Sequence, residues 1–134
     1  NVKELAQKKN VNKISRFKVD ILYLGSVLQY IFDLDNFLKI IKKIKPKEII
    51  IYDLLACENP TFFSYQNFYG KQMLVKFYNL KFLVKKFKKH GFEIEFISNI
   101  QRKILGKFQT PPMSNFKKKY RIAFSKQMIL KRIK

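Results

Sequence analysis

Apolar and polar positions along the chain alternate between two periods. Val19–Gly25 (VDILYLG) and Glu48–Tyr52 (EIIIY) are short apolar runs that predict strands. The near-continuous apolar character of the first predicts burial on both faces, as in a parallel sheet. Between them, Leu34, Phe37, Leu38, Ile41 and Ile44 recur at helical spacing, while Lys39, Lys42, Lys43 and Lys45 occupy the opposite face. Asp33 is the expected N-cap and Lys45-Pro46 the expected stop. Strand, helix and strand make one β-α-β crossover, so ligand chemistry is expected at the carboxyl ends of the strands, around Gly25–Tyr30 and Asp53–Glu58.

The same reading continues outward in both directions. Val2–Lys9 predicts the end of a helix and Val11–Ile14 a short edge strand. Residues 55–78, rich in aromatics and broken by Pro60 and Gly70, predict an irregular loop beside the sheet. Asn79 caps a second helix, Leu80–Lys89, with Leu80, Leu83, Val84 and Phe87 as its apolar stripe and Gly91 closing it. Phe92–Ile97 (FEIEFI) predicts a strand, residues 99–118 a basic loop, and Tyr120–Ile133 a last strand in two parts, Tyr120–Ser125 and Gln127–Ile133. The order is α-β-β-α-β-α-β-β in a single domain.

Composition narrows the chemistry. The 134 residues, 47% hydrophobic, can bury a core. The net charge of +20 points to a phosphate-bearing partner or to compositional bias. Bias is favoured, because only Arg16, Arg102, Arg121 and Arg132 among the 29 basic residues are arginine, the usual phosphate reader. One cysteine, Cys57, excludes an internal disulfide framework and a multi-cysteine metal site; no metal is expected. No stretch is apolar enough to span a bilayer and no signal peptide opens the chain, so a cytoplasmic location is expected. His90, beside Gly91, reads as a helix cap, and Cys57 as a small buried hydrophobe.

Val19–Ile31 (VDILYLGSVLQYI), then IIIYDLLACENP, YGKQMLVKFYN, FEIEFIS and YRIAFSK resemble the second half of a class I S-adenosylmethionine (SAM)-dependent methyltransferase. Within that class they resemble a family assigned as methyltransferases and often linked to bacterial surface-polysaccharide gene clusters. SVLQYI at Ser26–Ile31 is the most specific piece. The resemblance implies an α/β, Rossmann-like sheet of strands ordered 4-5-7-6, the last antiparallel, with flanking helices. It implies a partial domain over residues 1–134. The first strand, its Gly-rich cofactor-binding turn and the ribose-binding acid would precede Asn1, which makes the chain a fragment inactive alone. It implies a SAM cofactor held in part by Gly25, Ser26, Val27, Leu28 and Gln29, with Asp53 as a base or acceptor-orienting group. Tyr30, Tyr65 and Tyr69 are candidates for the acceptor pocket, and the acceptor would be a small molecule or a glycan sugar. Two departures bear on that pocket: Leu54-Leu55-Ala56 stands where the family carries Arg-Thr-Pro, and Leu74 and Lys76 stand where it carries Pro and Trp. An exposed strand edge would favour self-association. The rival reading is a basic nucleic-acid-binding module using residues 85–89 and 117–119 with the loop aromatics. Salt separates the two, because phosphate-driven binding weakens steeply with ionic strength.

Overall fold

A computed structural model describes residues 18–111 and 113–133; the expected elements Val2–Lys9 and Val11–Ile14 lie outside the described residues. The main sheet has four strands: β1 (Ile21–Gly25), β2 (Glu48–Leu54), β6 (Phe92–Ile100) and β9 (Ser125–Arg132). They lie in the order β1-β2-β9-β6. β1 and β2 are parallel, with Tyr23 opposite Ile50, and β9 runs antiparallel to both β2 and β6. Helix α1 (Leu34–Ile44) makes the β1–β2 crossover, and α2 (Leu80–Lys89) leads into β6.

Both helices begin where the sequence predicts. Asp33 Oδ1 accepts from the Asn36 N–H at 3.0 Å, and Asn79 Oδ1 accepts from the Phe82 N–H at 2.8 Å, each satisfying a donor that the first turn cannot. α1 ends with Lys45 in the left-handed conformation, directly before Pro46. At the end of α2 the His90 and Gly91 N–H groups close on the carbonyls of Phe87 and Lys88, and Gly91 takes φ +87°. The stripes point inward. Leu34, Leu38 and Ile41 of α1 and Leu83 and Phe87 of α2 pack with Leu24, Ile49, Ile51, Phe92, Met128 and Leu130 of the sheet.

Burial corrects the two-sided expectation for Val19–Gly25. Leu24 is buried, but Ile21 and Tyr23 alternate outward and are more than half exposed. The helices cover one face of the sheet. The other carries a row in which Tyr23, Ile50, Ile129 and Phe96 stand opposite one another across all four strands.

Three further expectations are overturned. The supposed aromatic loop is mostly strand: β3 (Ala56–Cys57), β4 (Phe62–Phe68) and β5 (Lys71–Asn79) form a second sheet ordered β3-β5-β4. β4 and β5 are a hairpin whose turn, Tyr69-Gly70, has φ +47° and +74°. Two successive positive φ values match the twist of an antiparallel pair, so Gly70 is the turn of a hairpin and not the break of a loop. The basic loop likewise contains a hairpin, β7 (Arg102–Ile104) and β8 (Lys107–Gln109), turning at Leu105-Gly106. Tyr120–Ser125 is not a strand: a 3-10 turn covers Lys118–Tyr120, and β9 runs unbroken from Ser125 to Arg132. The irregularity expected there sits in its neighbours, as register shifts between Ile94 and Phe96 and between Ile51 and Leu54.

Candidate functional site

The carboxyl ends of the parallel pair β1 and β2 are conformationally unusual. Ser26 follows β1 with φ +51°, and Asp53 near the end of β2 has φ +58°. Such values cost a residue bearing a Cβ on the order of 1 kcal/mol. The two meet: the Ser26 hydroxyl donates to Asp53 Oδ2 at 2.6 Å, and the Ser26 N–H bonds the Tyr52 carbonyl at 2.9 Å. Asp53 is 4% exposed. The bond links the segment after β1 to the expected base, although 27 residues separate them.

The chain then turns through a 3-10 segment, Leu28–Tyr30. Leu28 is 1% exposed and belongs to the core, so it can reach a cofactor only through its backbone. Val27 is partly exposed. Gln29 is 2% exposed, and its Oε1 is buried without a hydrogen-bond partner. The Oγ of Ser125, at the start of β9, is in the same condition. Buried polar atoms of this kind are rare and call for an explanation. Lys126 pairs with Leu54, which puts Ser125 beside the end of β2.

Tyr78 and Lys76 of β5 hold this segment from the other side. The Tyr78 hydroxyl, fully buried, donates to the Ile31 carbonyl at 2.8 Å, and burial pushes its pKa up to about 12. Lys76 Nζ donates to the Phe32 carbonyl at 3.3 Å and lies over the rings of Tyr78 and Phe63, at 4.7 and 5.6 Å. Burial lowers the Lys76 pKa, against the opposing pull of Asp35 and Asp33. Burial likewise raises the Cys57 thiol.

Beside these strand ends lies a cavity of about 440 Å³ between the β4–β5 hairpin and Pro111, Met113, Asn115 and Phe116. Ser64, Gln66, Val75 and Phe77 line the hairpin side, and Leu55, Met113 and Phe116 close it. Tyr30 reaches this wall, its hydroxyl donating to Gln66 Oε1 at 3.1 Å. Tyr65 contributes to the lining, although strand alternation puts its side chain on the hairpin's other face. Tyr69 does not line the cavity: it occupies the hairpin turn and is 91% exposed. Gly25, Ser26, Gln29 and Asp53 therefore cluster at the strand ends, Tyr30 bridges to the cavity, and Tyr69 stands apart. The residues that sequence reasoning passed over are Ser125, Gln66 and Met113; Lys76 entered it only as a departure from the family's pattern. Nothing in their local pattern separates them from ordinary strand and loop residues. His90 caps as expected, its Nδ1 2.9 Å from the Lys86 carbonyl. Among the described residues no group of acids, histidines or cysteines could hold a metal, and no helix is long and apolar enough to cross a membrane.

No protein family's sequence profile matches this chain, and no curated protein matches it. The fold does have a counterpart among solved structures. The chain is similar to a Listeria monocytogenes protein described as an S-adenosylmethionine-dependent methyltransferase, with a TM-score of 0.56 and 15% identity. The similarity covers 90% of this chain and 67% of that one. At that identity the likeness is one of fold: a mixed α/β arrangement shared with that protein.

Proposed function

We propose that this chain is the C-terminal part of a class I SAM-dependent methyltransferase acting on a small-molecule or sugar acceptor. The observation that carries the reading is the strained Ser26–Asp53 contact beside the unpaired Gln29 oxygen, at the carboxyl ends of the parallel strands. The strand order β1-β2-β9-β6, with β9 antiparallel, supports it, being compatible with the 4-5-7-6 order that the resemblance implies.

The residues fit the cofactor in part. SAM is a sulfonium carrying amino and hydroxyl donors, and Gln29 Oε1 is a buried acceptor in need of one. The Asp53 carboxylate adds a negative group where a cation would lie. Gly25 contributes less than its small size implies. A Cβ there would come within 2.7 Å of the Tyr23 ring, so the glycine makes room for that ring. When bound, the cofactor supplies an activated methyl group, and the protein supplies orientation and exclusion of water. In this chain Ser26 holds the Asp53 carboxylate in place at the strand end, outside the residues that line the cavity, and Tyr30 ties that segment to the cavity wall.

The test is calorimetric titration of SAM into the full polypeptide carrying these residues, beside a Gln29→Leu variant. Micromolar binding is expected, weakened about tenfold in the variant by loss of one buried hydrogen bond. The variant should also melt higher, because an unpaired buried oxygen has been removed. Absence of binding by the unaltered protein would overturn the reading.

A further inference from the structure

We infer that the cavity beside the strand ends takes an uncharged ring compound bearing hydroxyl groups. As the acceptor site, this assignment rests on the methyltransferase reading; as a binding site, it stands on the cavity alone.

The first ground is what the lining lacks. The chain carries 29 basic and 9 acidic residues among 134, yet none of the residues lining the cavity is charged. A phosphate or carboxylate placed inside would lose its hydration and meet no cation, which costs several kcal/mol. The second ground is the sorting of the walls. Phe77 lies flat against Phe62, with ring centres 4.7 Å apart and planes within 4°, and Phe116 tilts onto both. That slab offers an apolar surface to a ring. Ser64, Gln66 and Asn115 supply hydroxyl and amide groups for hydroxyl partners. The Tyr30 hydroxyl occupies Gln66 Oε1 and so leaves the Gln66 amide N–H groups to donate.

The third ground is that the wall is held in place by hydrogen bonds within the chain. Arg121 bonds the carbonyls of Phe116 and Ser114 at 2.8 and 2.6 Å. The Ile122 N–H reaches Met113 Sδ at 3.4 Å, and the Phe116 N–H closes on the Met113 carbonyl. A wall held in this way lowers the entropic cost of binding. The volume of about 440 Å³ falls within the range of small-molecule sites.

A phenolic ring and a sugar ring share this chemistry, and the experiment separates them. A naphthol, a methyl galactoside and a naphthalene sulfonate are each titrated into the full chain, with and without SAM, and followed by saturation-transfer NMR. One of the two neutral probes should bind, and the sulfonate should not. Gln66→Ala should weaken that binding about tenfold. Asn115→Arg, at an exposed position that leaves the fold intact, should admit the sulfonate by supplying a cation. Binding of the naphthol identifies a phenolic acceptor, and binding of the galactoside a sugar. The inference is overturned if neither neutral probe binds, if the sulfonate binds the unaltered chain equally well, or if Gln66→Ala changes nothing. Probe binding without SAM binding would remove the methyl-transfer reading and leave the site standing.

Discussion

Alkaline titration of Tyr78 tests the link between the second sheet and the site segment. The phenol is fully buried on β5 and donates to the Ile31 carbonyl at 2.8 Å, so the folded chain holds it neutral. Its pKa rises from 10.0 to about 12, with burial as the cause. The sign follows directly: because the folded value lies above the unfolded one, the stabilisation is fully present below pH 10 and lost as pH climbs to about 12. At ~1.4 kcal/mol per pH unit, that interval is worth about 3 kcal/mol, a large share of the stability of a small domain. Tyr78→Phe keeps the ring and removes the proton. Below pH 10 it should cost about 1–2 kcal/mol, the price of leaving the Ile31 carbonyl without that donor. Urea unfolding midpoints of both proteins, measured from neutral pH to the alkaline limit, give the answer. The wild-type curve should fall more steeply above pH 10, and the difference between the two proteins should shrink and then invert. Parallel curves would refute the reasoning, since they would mean that ionising this phenol costs the folded state nothing.

Two further outcomes follow from the same neighbourhood. Burial lowers the Lys76 pKa, so the folded chain pays to keep the ammonium charged; stability should rise as pH climbs from that lowered value towards 10.5, and Lys76→Met should abolish the rise in the same urea series. Asp53→Gly and Asp53→Ala both remove the carboxylate, but only glycine takes φ +58° freely, so the glycine variant should be the more stable by about 1 kcal/mol in thermal melts. Equal melts would show that the strand end relaxes once the side chain is gone.

The helices were legible because three signals agreed in each: a cap residue, a 3.6-residue apolar stripe and a stop. The hairpin of β4 and β5 was not. Phe62, Phe63 and Tyr65 blur the two-residue alternation, because both faces of this strand find aromatic contacts: Phe62 with Phe77 and Phe116, Phe63 with Phe32 and Lys76. Its turn, Tyr69-Gly70, lacks the Asn or Asp that usually marks a tight hairpin. The strand-end residues could be named from position alone, since Gly25, Ser26 and Asp53 close predicted strands. The hydrogen bond joining Ser26 to Asp53 could not, because it depends on the register that sets Gly25 opposite Tyr52. The cavity was hidden for a similar reason. One of its walls comes from Pro111 and residues 113–116, whose local sequence reads as a basic loop and where Arg121 reaches back to the carbonyls of Phe116 and Ser114.

The exceptions to ordinary backbone and polar rules distribute unevenly over the fold. Among the described residues, five other than glycine have positive φ. Lys45 ends a helix, and Tyr69 and Leu105 turn hairpins, so three of the five sit where the local geometry requires that conformation. Asp53 falls in the register shift between Ile51 and Leu54 of β2, where a bulge favours such a conformation, and Ser26 alone, after the carboxyl end of β1, has no such reason. Among the described residues, two buried side-chain atoms without protein partners, Gln29 Oε1 and Ser125 Oγ, belong to residues flanking these same ends. A fold maintained for stability alone would gain from glycine at the strained positions and an apolar side chain at Gln29. Strain and unmet hydrogen-bonding capacity thus occur together at the strand ends, which is the ground on which the cofactor site is proposed there. Among the described lysines, Lys47, Lys86 and Lys131 pair with Asp20, Asp35 and Glu95 at largely exposed positions, where ion pairs contribute little.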